Sequence, residues 1–172
     1  MTGAVVTLDD AHDAILDTLR AEFGDIIRHY GAYEPRDPET GLPADELYTP
    51  ALLLSLEEWM VDADVATKPD PYGRLPLETV WAVRCVLGFA TAGVFELELR
   101  KLAKQVCVVV AGQECARDKK RGTRWGLRSA AGRATLIRSF PAAYDGAHGR
   151  DAFAVEWEQK IYVDPTLPVG AV

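Results

Sequence analysis

The feature that most constrains this chain lies near its C-terminal end. Phe153, Val155, Trp157, Ile161 and Val163 alternate with Glu156, Glu158, Lys160 and Tyr162. A period of two sends successive side chains to opposite faces of an extended strand, so one face must enter a core while the other stays wet. Such a strand is unstable alone and requires neighbours in a sheet. Asp164-Pro165 ends the run, and residues 164–172 are expected to form a loose tail.

Two further apolar runs supply candidate neighbours. Residues 50–61 carry Leu52, Leu54 and Leu56 on one face, and Leu53 makes the other partly apolar. Residues 79–91 carry Val80, Trp81, Val83, Cys85, Val86, Leu87 and Phe89, a β-branched and aromatic composition that favours strand over helix. The pair is expected to form a long hairpin or adjacent strands. Shorter strands are expected at 26–30 and 134–143, with a turn over 144–150.

Two segments read as helices. Thr7 can cap the first, Asp9 and Asp10 suit its positive end, and Leu8, Ala11, Ile15, Leu16, Leu19 and Phe23 recur at helical spacing up to a stop at Gly24. The second spans 94–110. Phe95, Leu99, Leu102, Val106, Val109 and Val110 form one stripe, with Glu96, Glu98, Arg100, Lys101 and Lys104 mostly off it. Gly112 is its expected stop. Residues 34–43 hold three prolines and a glycine, so a long loop is expected at 34–49. Further loops are expected at 62–77 and, with short extended pieces, in a basic, glycine-bearing stretch at 113–132. Strands on either side of a central helix predict an α+β fold: a twisted mixed or antiparallel sheet with two main helices packed on one face. At 172 residues, 1–172 reads as a single domain.

Charge is unevenly distributed. The chain carries −7 overall, which disfavours nucleic-acid binding by the whole molecule. Residues 117–138 hold eight Arg/Lys and one Asp, whereas residues 34–64 hold nine Asp/Glu and one Arg. These stretches read either as two solvated segments or as complementary patches that meet between subunits. The run Arg117-Asp118-Lys119-Lys120-Arg121-Gly122-Thr123-Arg124-Trp125 mixes cations with an aromatic, as single-strand nucleic-acid sites do; an exposed loop or an intersubunit contact is the preferred reading against the negative overall balance.

Chemistry-bearing motifs are sparse. Three cysteines, Cys85, Cys107 and Cys115, form no C-x-x-C, so a disulfide framework is not expected and a reducing compartment is. The N-terminal residues lack the pattern of a signal peptide, and the longest purely apolar run, 106–111, falls far short of the ~20 residues that span a bilayer. His12, His29 and His148 have no zinc-like spacing to Cys, Asp or Glu. His12 reads as a surface residue, Cys107 as a small hydrophobe and Cys115 as a bystander despite its basic neighbours. No phosphate-binding loop, dinucleotide fingerprint or nucleophile elbow is present, and neither a cofactor nor an enzymatic activity is expected. One nuclease-like pattern remains: Glu158-Gln159-Lys160 with Asp70 as a partner acid for magnesium. Its simpler reading is the polar face of an amphipathic strand.

The order of elements resembles the tail terminator, or tail completion, proteins of long-tailed bacteriophages. The likeness rests on the helix at 8–23 followed by a proline-rich insertion, and on the strand Pro50-Ala51-Leu52-Leu53-Leu54-Ser55-Leu56. It rests also on Trp81-Ala82-Val83-Arg84-Cys85-Val86-Leu87 leading into the helix at 94–110, and on the terminal strand Phe153-Ala154-Val155-Glu156-Trp157-Glu158-Gln159-Lys160-Ile161. The basic stretch 117–128 and the loop 34–49 have no counterpart in that pattern. The resemblance implies a structural virion protein, assembled in the host cytoplasm. It would form a homohexameric ring that ends tube polymerisation and offers a surface for head joining. The partners it implies are copies of itself, the tail tube protein and a head–tail connector, with DNA passing through the channel unbound and no membrane involved. The expected ring contact joins Arg117, Lys119, Lys120, Arg121 and Arg124 of one subunit to Glu34, Asp37, Glu39, Asp45 and Glu46 of its neighbour. The alternatives are another neck or tail-completion component, or a small metal-dependent nuclease.

Overall fold

The computed structural model describes residues 6–33, 49–66, 70–88, 95–112, 125–145 and 150–165. Helix α1 (Leu8–Phe23) begins where the sequence places its cap. The Thr7 side chain accepts from the Asp10 N–H at 3.0 Å, and Asp10 Oδ2 accepts from the Thr7 N–H at 2.7 Å, a reciprocal capping box. The helix stops at Gly24, whose φ of 52° a side-chain-bearing residue would resist. A 3-10 turn (Gly24–Ile26) follows, so the expected strand at 26–30 shifts to β1 (His29–Ala32). Strand β2 (Ala51–Val61) and strand β3 (Leu75–Gly88) pair antiparallel, as the two apolar runs predict. The loop expected through 77 ends earlier, because Leu75, Pro76 and Leu77 pair with β5 (Arg150–Val163). Helix α2 (Phe95–Gly112) holds the second amphipathic stripe.

Where it is described, the segment 113–132 is the expected loop as far as Ala130 and extended from Ala131. Residues 125–127 form a turn, Arg128–Ala130 a 3-10 turn, and β4 (Ala131–Asp145) begins three residues before the expected strand. At Gly132 a Cβ would stand 3.1 Å from Lys160 Cβ, so glycine permits the close approach of β4 to β5 at an irregular register. Pro141 sits within β4 without disrupting the sheet because β4 is an edge strand. The tail expected to be loose is anchored at its start: the Asp164 N–H donates to the Val6 carbonyl at 3.1 Å.

The fold is α+β, as the sequence order predicts: a five-stranded mixed sheet with both helices on one face. Strand order is β1-β2-β3-β5-β4, with β1 parallel to β2 and all other pairs antiparallel. The core lies between helices and sheet. Ile15 and Leu19 of α1, Leu99, Val106 and Val110 of α2, and Leu52, Leu54, Trp81, Val83, Val155, Trp157 and Ile161 of the sheet are almost completely buried in one cluster. Each such side chain contributes roughly 1.5–3 kcal/mol through removal from water. Among the described residues no helix is long and apolar enough to cross a membrane.

Candidate functional site

The core face contains a polar network that alternation alone conceals. Gln159 faces the same side as Trp157 and Ile161 and is 3% exposed. Its Oε1 accepts from the indole N–H groups of Trp125 at 2.8 Å and Trp157 at 3.1 Å, while its Nε2 donates to the Gly132 carbonyl at 2.9 Å. A third indole, Trp81, donates to Thr79 Oγ1 at 2.7 Å, and that hydroxyl donates to the Gln159 carbonyl at 2.6 Å. Three buried tryptophans are thereby satisfied by two side chains. Trp125 adopts φ 62°, a conformation uncommon for a bulky residue, while its ring lies 5.8 Å from that of Trp157. This network fixes β4 against β5; it holds no reacting group.

The other face of the sheet carries the charge. At one end Ala51, Leu53, Val86 and Ala152 pack with Tyr33 and Ala142 as a second, smaller apolar cluster. In the middle, Arg84 lies over the Tyr33 ring at 3.7 Å and donates to Ser55 Oγ at 2.7 Å and Glu57 Oε1 at 2.8 Å. Burial pushes the Glu57 carboxyl up, but hydrogen bonds from Ser55 and Arg84 and the Arg84 charge outweigh it and hold the group below its ordinary value. At the far end a shallow depression of about 350 Å³ is lined by Glu58, Met60, Glu78, Val80, Glu158 and Lys160. Lys160 is paired with Asp62. That hydrogen bond, against a smaller opposing effect of burial, raises the ammonium's pKa, with the Asp62 and Glu78 charges helping.

Placement of the nuclease-like residues decides how they read. Glu158 and Lys160 lie on the open face, in register with Val80 and Glu78. Asp70 is engaged elsewhere. Arg74 donates to its two carboxylate oxygens at 2.9 and 3.0 Å, and the Tyr72 and Arg74 N–H groups donate at 3.1 Å each. Those bonds hold the Asp70 carboxyl below the usual carboxylate range despite the opposing effect of burial. Arg74 adjoins Leu75, which pairs with Val163, five residues along β5 from Glu158 or roughly 16 Å. Among the described residues, no three His, Cys, Asp or Glu side chains form a group able to hold a metal ion. Cys85 is fully buried and its thiol is pushed far up by desolvation; Cys107 is half-buried against the core, as a small hydrophobe would be. The His12 side chain is 24% exposed, with its ring centroid 6.4 Å from that of Trp81, so it is partly covered rather than fully on the surface. His148 and Cys115 lie outside the described residues.

All ten expected ring-contact residues also lie outside the described residues: Glu34, Asp37, Glu39, Asp45 and Glu46, and Arg117, Lys119, Lys120, Arg121 and Arg124. The elements that flank them are described, and they stand apart. The acidic segment leaves β1 and enters β2, so both its ends are fixed at one side of the sheet. The basic segment leads through residues 125–130 into β4, the strand at the opposite edge. The described strands continue each sign. Residues 51–66 contain Glu57, Glu58, Asp62 and Asp64 and no base, and β4 contains Arg133 and Arg138 with Asp145 as its only acid. Arg138 also pairs with Glu156 of β5.

Two exposed apolar features accompany this polarity, and neither stands out in the sequence. Trp59, Met60 and Val61 are 56%, 51% and 45% exposed at the end of β2. Leu136 of β4 is 70% exposed at φ 49°, where the β4–β5 register shifts. In the sequence, the first three look like the continuation of a core strand. Only the extent of helix coverage and the shortness of β1 show that they are bare.

Comparison with protein-family models gives no match for this chain, and comparison with curated proteins gives none. Architecture therefore describes it: an α+β sheet protein with four acids and no base in residues 51–66 and with Arg133 and Arg138 on the edge strand β4.

Proposed function

We propose that this chain is an assembly subunit that joins copies of itself head to tail into a ring. The ring would be of the kind that tail terminators form on a finished tube, most simply a hexamer, and would leave one rim for a head–tail connector. The observation that supports this reading is the unequal charge of the described residues: 51–66, beside the edge strand β1, hold four acids and no base, and the edge strand β4 holds Arg133 and Arg138. A heterologous contact between two different surfaces closes into a ring when its rotation divides a full turn. Charge complementarity then sets register and partner choice. The net charge of −7 also suits a channel through which DNA passes without adhering.

The metal-nuclease reading draws no support from the geometry, since Asp70 is committed to Arg74 and Lys160 to Asp62. A neighbouring neck component would use the same head-to-tail logic, and binding to purified tube protein rather than to connector separates the two.

The test combines native mass spectrometry with negative-stain imaging of the purified chain. Annular particles are expected. Reversing charge at Lys119, Lys120 and Arg121 together is expected to abolish them while leaving the circular dichroism spectrum unchanged. Normal rings from the triple variant at both low and high salt would refute that pairing, and particles that remain single at high concentration, even beside tube protein, would refute the ring itself.

A further inference from the structure

We propose that the bulge at Leu136 and Ile137 in β4 is a two-state device that decides which of two apolar side chains this edge strand displays. The inference stands apart from the ring reading.

The register places the bulge. Thr135 pairs with Glu158 and Arg138 with Glu156, so two residues of β4, Leu136 and Ile137, oppose the single residue Trp157 of β5. Alternation directs the position opposite Trp157 to the core face, and only one of the two side chains takes it. Ile137 does so: it is half-buried and packs against the main core cluster, to which Trp157 belongs. Leu136 is left 70% exposed, more than any other large apolar side chain of the described strands.

The backbone of Leu136 carries a cost. Its φ is 49°. A bulge with a left-handed first residue ordinarily has glycine there, because a left-handed L-residue brings its Cβ against the following carbonyl. Burial does not account for this strain at Leu136. Both flanks of the bulge are pinned instead. On one side Gln159 Nε2 donates to the Gly132 carbonyl at 2.9 Å, and on the other Arg138 Nε donates to Glu156 Oε1 at 2.8 Å. Backbone strain persists only where the surroundings over-determine it, and it clusters at switches.

The alternative packing differs little from the one observed. Turning Leu136 from the left-handed to the right-handed region gives the other common bulge type and swings its side chain toward Trp157, while Ile137 leaves the core face. Leucine and isoleucine have equal volume, so the core keeps its filling, and the flanking pairs Thr135–Glu158 and Arg138–Glu156 stay in place. The exchange relieves strain at 136 and gives up a β-branched side chain suited to the core face of a strand at 137. Two packings so closely matched meet the condition for a minor state populated at about 0.1–10%. Bulges at sheet edges re-aim side chains, and this one has two of similar size to choose between.

Methyl NMR on the full chain tests this. In the parent, the Leu136 δ and Ile137 δ1 methyls are expected to show relaxation dispersion with one shared exchange rate on the microsecond-to-millisecond scale. Leu136→Asn accepts the left-handed backbone and resists burial. It is expected to quench the dispersion at Ile137 and to leave the folding equilibrium constant no more than about threefold below that of the parent. Ile137→Thr, with Ile137→Ala as a second variant if the first melts early, is expected to reverse the populations and bring the Leu136 methyls within nuclear Overhauser range of the Trp157 indole. Flat dispersion profiles at both methyls of the parent would overturn the inference. So would a loss of more than about tenfold in the folding constant of Leu136→Asn, because Leu136 would then be stabilising where it stands. Leu136 methyls that stay remote from Trp157 in both Ile137 variants would overturn it as well.

Discussion

At the scale of single residues, Gln159 shows how one polar side chain can be decisive in an apolar layer. It is the shared partner of Trp125, Trp157 and the Gly132 carbonyl. Replacing it with leucine would preserve bulk while leaving two buried indole donors and a carbonyl unpaired, each a desolvated group without compensation. Gln159→Leu is expected to cost about 2–4 kcal/mol, read as a lowered urea midpoint at unchanged slope, with altered tryptophan fluorescence. A loss below about 0.5 kcal/mol would show that the network contributes little. The sequence gives the alternation of this strand correctly, and its phase places Gln159 with Trp157 and Ile161. Its partner Trp125 is 34 positions away in a segment expected to be loop, so nothing local marks what satisfies the glutamine's amide.

At the scale of elements, the connection between β2 and β3 is held by a compact ionic clamp. Asp70 is only 5% exposed at its side chain and receives four hydrogen bonds from Tyr72 and Arg74, while Arg74 also lies over the Tyr72 and Tyr162 rings at 4.9 and 5.0 Å. The clamp ties the start of β3 to the end of β5. Its carboxyl titrates below the unfolded value. The stabilisation is therefore fully present above about pH 4 and is lost as pH falls through the folded value. Asp70→Asn is expected to cost about 1–2 kcal/mol at neutral pH and to flatten the acid limb of the stability profile. An unchanged acid limb in thermal melts from pH 6 to pH 2 would exclude Asp70 as its source. Boundaries at this scale are less legible than element types. The helices are readable to within a residue or two because caps and stripes are local signals, whereas β3 and β4 extend beyond their apolar runs because pairing with β5 continues past them.

At the scale of the whole molecule, the sheet separates the acids of residues 57–64 from Arg133 and Arg138 of β4 by two strands, β3 and β5. Assembly driven by attraction between them is expected to weaken with ionic strength. Charges at a contact rim lose most of their interaction when the screening length falls from about 10 Å at 0.1 M salt to about 3 Å at 1 M. If the chain assembles as proposed, ring particles counted by native mass spectrometry or imaging should decline across that range. An assembly that strengthens with salt would assign the contact to apolar burial alone.

The sequence by itself determined the element types, the α+β class and the asymmetry of charge, since periodicity, capping and composition are properties of neighbouring residues. Only the tertiary structure decided where that asymmetry points. Inserting β5 between β3 and β4 puts Arg133 and Arg138 on one edge strand, while Glu57, Glu58, Asp62 and Asp64 follow along β2 toward the other side of the sheet. The same topology leaves Trp59 bare and buries Gln159, because exposure depends on which strands lie alongside, and pairings between residues distant in the chain leave no trace in local pattern.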